Sequence, residues 1–269
     1  MSEIDVSVIT PTFHRERQVV TAIDSVLGQS GVSVEVIVLD DSAEGSACEA
    51  VRSVNDPRVR YVKRAVPSQG KPALVRNEGA RLARGRFLHF LDDDDVLEPG
   101  ALAALTGALQ TRSGAGMAFG GIVPFGNDER ELRRQEDYFR SASRTARSLH
   151  GRMNLTARLL FLTTVLVNSA CMARREAFVA SGGYDPQVPV CEDVELWMRI
   201  VRATDFVYVD RPILRYRTGN PSLMASLAKN DEKLRVAYGR MYRKYRDTYG
   251  SIEFFALKML ARLVLQWLQ

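Results

Sequence analysis

The sequence predicts an α/β fold in which helices flank a mostly parallel central sheet. Short runs of Val, Ile and Leu, typical of buried strands, alternate with segments that have the 3.6-residue spacing of amphipathic helices. This alternation is typical of parallel sheets joined by right-handed crossovers. Four consecutive aspartates, residues 92–95, directly follow one of the apolar runs. Because open α/β sheets bind ligands at the carboxyl ends of their strands, we expect a ligand site there.

The first half of the chain has a regular order of elements. Strands are predicted at residues 6–9, 34–39, 59–62 and 87–91, and helices at residues 17–27, 47–54 and 72–83. Pro72 stands in the first turn of the third helix, where its missing N–H has no helical partner to lose. Neither G-x-G-x-x-G nor a Walker sequence occurs. The first half therefore resembles a nucleotide-binding domain without the usual phosphate fingerprints.

The second half is less regular. Residues 128–150 are polar and rich in Arg and Ser, which predicts a mobile loop or lid, with disorder as the alternative. Helical and strand-like runs follow, then a turn, a helix and two short strands that flank Arg211-Pro212. Their predicted positions are residues 155–162, 165–172, 182–185, 191–201, 206–209 and 213–216.

The four aspartates form the first candidate site. Adjacent carboxylates repel one another, and each disfavours ionisation of the next. Hard divalent ions such as Mg²⁺ relieve this repulsion, since they take oxygen ligands and share them with substrate phosphates. The cluster therefore predicts a metal site that holds a diphosphate. The alternative is a solvated acidic turn.

Asp193 is the second candidate. It lies in the first turn of the helix predicted at 191–201, on the same face as three apolar residues. These are Leu196, Trp197 and Ile200. We expect Asp193 to point inward as a general base, because burial raises the pKa of a carboxyl group toward working pH. The alternative is a carboxylate favoured by the helix dipole. Glu192, Glu195 and Arg199 are predicted on a different, solvated face.

Composition predicts a cytoplasmic protein. The 269 residues, 46% hydrophobic and 26% charged, suffice for a sizeable core. The opening residues are acidic and lead into a strand, so no signal peptide is expected, and no charge-free apolar stretch is long enough to span a bilayer. The cysteines, Cys48, Cys171 and Cys191, fit neither a disulfide framework nor a metal-site spacing.

Basic charge is concentrated at the C-terminal end. Residues 225–269 carry nine Lys/Arg and four acidic residues, whereas the rest of the chain has 28 of each sign. At residues 254–268, helical spacing places Lys258, Arg262 and Gln266 on one stripe, and apolar side chains fill most of the remaining surface. Two interpretations stay open. The apolar arc packs on the body or on a second subunit, or the helix lies on an anionic membrane surface.

Six segments, taken in their order and spacing, resemble the inverting glycosyltransferases of family 2, which have the GT-A fold. They are Val6 to Phe13 (VSVITPTF), Val38 to Ser42 (VLDDS), Arg76 to Ala80 (RNEGA), Phe90 to Asp95 (FLDDDD), Gly182 to Asp185 (GGYD) and Glu192 to Arg199 (EDVELWMR). The resemblance covers roughly residues 4 to 217. It implies a GT-A domain at 1–217, with a nucleotide-binding half at 1–123 and an acceptor half at 124–217. A basic helical extension follows at 218–269.

The resemblance also implies residue roles. Pro11 and Phe13 would line the nucleotide base, Asp41 would hydrogen-bond a uracil-like base, and Lys71 would lie near the nucleotide. Asp92 and Asp94 resemble the ends of the family's D-x-D, with Asp94 as the direct ligand of Mg²⁺ or Mn²⁺. Asp93 would lie near the ribose or the sugar, and Asp193 resembles the catalytic base. Ser42 departs from the Gly that many relatives have after the Asp pair.

The implied function is transfer of one sugar from a nucleotide-sugar, a UDP-sugar above all, to an acceptor hydroxyl with inversion. The Q-x-x-R-W signature of processive synthases is absent, so a single addition is expected. The acceptor would be a sugar, a lipid-linked molecule or a small molecule. The C-terminal helices would mediate a homodimer contact or a contact at the inner face of the membrane.

Other functions remain open at this point. A nucleotidyltransferase acting on sugar phosphates would use the same acidic cluster but usually has an early Gly-rich basic loop, which residues 10–17 do not supply. A catalytically inactive protein that binds nucleotide-sugar or membrane would not need to retain both Asp94 and Asp193. Nucleic-acid binding is disfavoured, since the body of the chain is electrically balanced.

Overall fold

The structure, a computed structural model, describes residues 4–219 and 231–267. Its strands are β1 (Val6–Thr12), β2 (Val34–Asp40), β3 (Val59–Lys63), β4 (Phe87–Phe90), β5 (Val96–Leu97), β6 (Met117–Phe125), β7 (Cys171–Arg174) and β8 (Phe206–Arg217). Its helices are α1 (Glu16–Leu27), α2 (Cys48–Ser53), α3 (Pro72–Leu82), α4 (Ala101–Thr111), α5 (Glu129–Ser148), α6 (Arg152–Phe161), α7 (Arg175–Ala180), α8 (Glu192–Ala203), α9 (Asp231–Tyr249) and α10 (Ser251–Leu263). Short 3-10 turns occupy Asn168–Ala170 and Leu265–Trp267.

The eight strands form one sheet in the order β3-β2-β1-β4-β7-β6-β8-β5. Four neighbouring pairs are parallel: β1 with β2, β1 with β4, β2 with β3, and β6 with β8. Strand β7 runs antiparallel between β4 and β6, and β5 is antiparallel to β8. The predicted α/β class is confirmed, and the carboxyl ends of β1, β2 and β4 meet at one edge of the sheet.

Helices cover both faces of the sheet. Helices α1, α2 and α4 bury Ile23, Val51 and Leu105 against one face. Helices α3, α6 and α8 bury residues such as Val75 and Trp197 against the other. Every residue of β2 is buried, which fits the apolar run at residues 36–39.

The polar stretch at 128–150 is not a loop. It forms α5, whose first turn is capped by the Asp128 carboxylate, which accepts hydrogen bonds from the Arg130 and Glu131 N–H groups. Its buried side includes Phe139, Ala142 and Ala146, spaced three and four residues apart. The prediction of a mobile lid was wrong because these three apolar positions are a weak signal among many charged ones.

The two strands predicted at 206–209 and 213–216 are one continuous strand, β8. The register of the β6–β8 ladder shifts between Gly120 and Ile122, opposite the segment that contains Arg211 and Pro212. A bulge of this kind accommodates a proline, which cannot donate to the ladder. The Arg211-Pro212 pair therefore interrupts the register without ending the strand.

The C-terminal helices α9 and α10 pack against α6. Helix α10 is shorter than the predicted 254–268 helix and buries Phe254, Leu257 and Ala261 against the same apolar core as α6 and α8. Arg202 of α8 forms a salt bridge with Glu253 at 2.6 Å. The described residues contain no helix that is long and apolar enough to span a bilayer.

Candidate active site

The four aspartates stand where β4 ends, next to the end of β1. They are not a solvated turn, because Asp93 and Asp95 are buried and the side chain of Asp94 is largely covered. Thr12, the last residue of β1, donates to Asp93 at 2.8 Å. The Asp95 carboxylate accepts from the Arg217 N–H at 3.0 Å, which joins the cluster to the end of β8.

Arg15 is the main positive contact of this cluster and was not predicted from the sequence. Its guanidinium donates to Asp93 at 2.9 Å and to Asp94 at 2.6 Å. It lies in the loop between β1 and α1, at the same sheet edge as the aspartates. That position is the signal that could have identified it, since loops after neighbouring parallel strands converge.

Burial dominates the protonation of the cluster. It raises the pKa of Asp93 to about 6, against the opposing effect of Arg15. Burial also raises the pKa of Asp94, and the neighbouring Asp92 charge adds to the rise. The pKa of Asp95 lies well above its ordinary value for the same reasons. Carboxylates that are costly to ionise without a counter-charge are chemically suited to a cation.

The residues predicted around the nucleotide base lie at the ends of β1 and β2. Phe13 is exposed, with 58% of its surface accessible, and Pro11 is half-buried. The Asp41 carboxylate accepts from Arg64 at 2.7 Å and from the N–H and hydroxyl of Ser68. Ser68 also accepts from the Lys71 N–H at 3.1 Å. Asp41 and the backbone of Lys71 are thus brought together through Ser68.

Asp193 lies in the first turn of α8, as predicted, and is half-buried. Burial raises its pKa to about 6, and the adjacent charge of Glu192 adds to the rise. A carboxylate with this pKa is a competent general base near neutral pH.

The prediction of a solvated face for Glu192 and Glu195 was wrong. Glu192 is buried against Arg76, and Glu195 is completely buried. Glu195 pairs with Arg199 at 2.6 Å and with Lys244 of α9 at 3.0 Å. The face is covered because α9, which is distant in sequence, packs over it.

Arg76 connects the two acidic sites. It donates to Asp92 at 2.7 Å and to Glu192 at 2.6 Å, and its guanidinium carbon lies 5.5 Å from the centre of the Tyr184 ring. Arg76 was noted in a motif but its role was not predicted. The acidic cluster and the helix that carries Asp193 are therefore held together by one buried cation.

The other motif residues fix the backbone around this bridge. Asn77 donates to the Tyr184 carbonyl at 2.8 Å and accepts from the Tyr184 N–H at 2.9 Å. Gly79 lets α3 approach β1 closely, since a Cβ there would lie 2.4 Å from a methyl carbon of Ile9. Gly183 has a φ of 71° and faces Asn77 in the same way.

Comparison with known proteins identifies similar sequences. Residues 7–181 match the sequence model of the family described as "Glycosyl transferase family 2". The chain is 34% identical over 129 residues to the succinoglycan biosynthesis protein ExoO of Rhizobium meliloti (strain 1021), covering 48% of this chain and 36% of that protein. It is 39% identical over 101 residues to a GalNAc(5)-diNAcBac-PP-undecaprenol beta-1,3-glucosyltransferase of Campylobacter jejuni, covering 37% and 32%. The matches thus span about a third of each relative's length.

Solved structures share the fold. The chain matches the mannosyltransferase PcManGT from Pyrobaculum calidifontis, in complex with GDP-Man and Mn²⁺, with a TM-score of 0.66 at 16% identity, over 100% of this chain and 72% of that one. It matches S. aureus TarS 1-349 in complex with UDP with a TM-score of 0.65 at 15% identity, over 98% and 73%. These likenesses confirm the GT-A architecture expected from the motifs.

Proposed function

Because this chain belongs to glycosyl transferase family 2, we propose that it transfers one sugar from a nucleotide-sugar to an acceptor hydroxyl with inversion. The observation that carries the proposal is the Arg76 bridge between Asp92 and Glu192. It joins a site suited to a diphosphate and a cation to a helix that carries a carboxylate suited to proton abstraction. A glycosyl transfer needs both sites on one cleft.

The donor is proposed to be a UDP-sugar. The solved relatives were crystallised with UDP, UDP-GlcNAc and GDP-Man. Pro11 and Phe13 offer apolar surface for a base, and Asp41 is fixed by Ser68 and Arg64. Lys71 is exposed at the start of α3, where its ammonium group can reach a nucleotide.

A divalent cation, Mg²⁺ or Mn²⁺, is proposed to bind at Asp94. The carboxylate chemistry fits, since the Asp94 side chain is largely covered, has a raised pKa and already attracts the Arg15 guanidinium at 2.6 Å. Within residues 4–219 and 231–267, no three His, Cys, Asp or Glu side chains converge as a ready metal cage. We therefore expect a single protein ligand, Asp94, with donor diphosphate oxygens completing the shell. The cation, when bound, would neutralise charge on the leaving diphosphate.

The protein's own groups would carry the remaining steps. Asp92 accepts a hydrogen bond from Arg76, and Asp93 accepts one from Arg15. Both aspartates are proposed to orient the ribose and sugar. Asp193 takes the proton of the acceptor hydroxyl. The acceptor oxygen forms its bond to the anomeric carbon as the bond to the diphosphate oxygen breaks, and the nucleoside diphosphate leaves with the electron pair. Attack opposite the leaving group inverts the anomeric centre, and positioning supplies much of the rate.

We propose that the protein works at the cytoplasmic face of a membrane, through the outer face of α10. Five large apolar residues are exposed on this helix and its end: Ile252, Phe255, Met259, Leu263 and Val264. They lie opposite the buried Phe254, Leu257 and Ala261. Packing on the body of the protein therefore accounts for the buried face of α10. The described residues leave its outer face uncovered.

Charge favours lipid as the partner of that outer face. Lys258 and Arg262 lie on α10, and α9 adds the exposed Lys233, Arg235 and Arg243. An apolar helix face flanked by basic residues suits anionic lipid, whose surface potential is negative on the cytoplasmic leaflet. The extension at 218–269 would then hold the acceptor half, 124–217, near a lipid-linked acceptor. A homodimer through the same face is the competing outcome.

The proposal is tested by thermal-shift screening against UDP-, GDP-, dTDP- and CMP-sugars with Mn²⁺, followed by NMR analysis of the product. We expect stabilisation by a UDP-sugar and an anomeric coupling constant opposite to that of the donor. Retention of configuration would exclude the inverting mechanism. A product that contains the nucleotide would instead indicate nucleotidyl transfer.

A further inference from the structure

Arg158 is a buried cation that has no side-chain partner among the described residues. The residue lies on α6 and is 4% exposed. Its Nε and Nη1 atoms are buried and make no hydrogen bond to any part of the chain that the structure describes. Burial lowers the pKa of this guanidinium, and the Tyr138 hydroxyl is the group that opposes the effect.

No carboxylate among the described residues compensates this charge. Within the two described ranges, no Asp or Glu forms an ion pair with Arg158, although the other well-buried arginine of the site, Arg76, has two. Residues 220–230 contain no acidic side chain at all. An unpaired buried guanidinium is strongly destabilising, and arginines so deeply buried are normally paired. A group from outside the chain is the natural partner.

The position of Arg158 is on the acceptor side. Helix α6 packs directly against α8, which carries Asp193. Tyr138 of α5 is the ionisable neighbour of Arg158. Burial is the chief cause of the raised pKa of Tyr238 on α9, and the charges of Asp193 and Tyr138 add to the rise. Tyr138 is itself fixed by donating to the Thr164 carbonyl at 2.9 Å. Arg158 thus lies near Tyr138, on a helix that packs against the helix of Asp193.

We propose that Arg158 binds an oxyanion of the acceptor, a phosphate or a carboxylate, and so selects anionic acceptors. A guanidinium offers a planar fork of donors that matches either group in a bidentate manner. The burial of Arg158 excludes water and strengthens such a contact. The identity of this ligand as the acceptor rests on the proposed transferase function, whereas the anion site itself does not.

The test uses the full chain and inorganic phosphate as the probe. Phosphate is titrated calorimetrically against chloride at constant ionic strength, with a chelator present, into wild type, Arg158→Met, Arg158→Lys and Arg140→Met. Arg140 is the matched control, since it is an arginine on the exposed side of α5. The titrations are repeated in an Asp94→Ala background, because the donor site also attracts phosphate.

We expect the phosphate affinity of Arg158→Met to fall about tenfold or more, the loss typical of a charge-assisted hydrogen bond. The phosphate affinity of Arg158→Lys should lie between those of wild type and Arg158→Met, since lysine keeps the charge but lacks the two parallel donors of the guanidinium. Arg140→Met should match wild type. A parallel titration with acetate identifies the source: a stronger response to phosphate assigns a phosphorylated acceptor, and a stronger response to acetate assigns a carboxylated one.

Melting temperature supplies a second readout that a structural role would not give. In phosphate-free buffer, Arg158→Met should melt higher than wild type by about 2 °C or more, because it removes an uncompensated buried charge. An unchanged phosphate response in Arg158→Met and Arg158→Lys would overturn the inference. Failure of UDP and Mn²⁺ to bind the wild type would instead count against the proposed function. The phosphate titration would still decide whether Arg158 binds an anion.

Discussion

Arg76 and Glu192 form a buried ion pair of 2.6 Å across 116 residues of sequence. The first lies on α3 in the first half of the chain, and the second opens α8, directly before Asp193. The pair therefore fixes the distance between the donor side and the proposed base. A half-buried aspartate at the free end of a helix would otherwise have considerable freedom.

The pair should be essential to stability but replaceable as a unit. Arg76→Met leaves the Glu192 carboxylate buried and unpaired, and breaking such a pair costs about 3–5 kcal/mol. We expect urea denaturation to show a loss of that order, and the double variant Arg76→Met/Glu192→Gln to recover a large part of it. Additive losses in the double variant would show that the two side chains do not interact.

Asp94→Ala should remove metal-dependent donor binding without unfolding the protein. Asp94 is the proposed direct ligand, and its deletion also relieves repulsion from Asp92. Calorimetric titration with Mn²⁺ and UDP should show at least about a tenfold loss of affinity, the scale of a lost charge-assisted contact. Asp137→Ala, on the exposed face of α5, is the control. Wild-type affinity in Asp94→Ala would refute the ligand assignment.

Asp193→Asn should keep donor binding but lose most turnover. A general base contributes about 10²–10⁴-fold, and asparagine preserves shape without accepting the proton. Turnover is measured at saturating donor and metal, with UDP affinity as the control for folding. Near-normal turnover would place the base on another residue.

The same carboxylate should govern the acidic limb of the pH profile. Its pKa of about 6 lies above the ordinary aspartate value, and a base works only when deprotonated. Turnover should therefore be full above pH 7 and fall as the pH drops through 6, to roughly a tenth at pH 5. Residual turnover of Asp193→Asn should lack this limb. Donor affinity is measured at each pH, because Asp93 also titrates near 6.

The outer face of α10 should bind anionic vesicles. Phe255→Asp and Met259→Asp each place a negative charge on that face and should abolish sedimentation with vesicles that contain phosphatidylserine at low salt. Val66→Asp is the control, because it places the same charge on an apolar residue that is 72% exposed but lies in the loop between β3 and α3 and not on α10. Concentration-dependent dimers of the wild type without vesicle binding would assign the face to a second copy instead.

Local sequence patterns predicted the strands and helices of the first half of the chain well. The apolar run at residues 36–39 of β2 and the aspartates that follow β4 are properties of contiguous residues, so they can be recognised without knowing the fold. Helix α5 could not be recognised, because its buried side is limited to residues such as Phe139 and Ala146 among charged neighbours.

The partners of the site charges could not be predicted for a different reason. Arg15 meets Asp94 across 79 residues and Arg76 meets Glu192 across 116. Such pairs depend on which strand ends lie side by side, and the order β3-β2-β1-β4-β7 is set by the whole sheet. The same holds for Glu195, whose burial follows from a helix 36 or more residues later in the sequence.

The pairing of Glu195 with both Arg199 and Lys244 limits how this enzyme can be recombined. Exchanging everything after β8 with the tail of a relative would remove the Lys244 contact and leave the buried Glu195 with Arg199 alone, unless the incoming helix also brings a cation to that point. The outer surface of α10 carries no such obligation, since Ile252, Phe255 and Met259 touch solvent. Substitutions meant to change where the protein binds should therefore be made at the exposed residues of α10, and the buried residues of the two C-terminal helices should be kept.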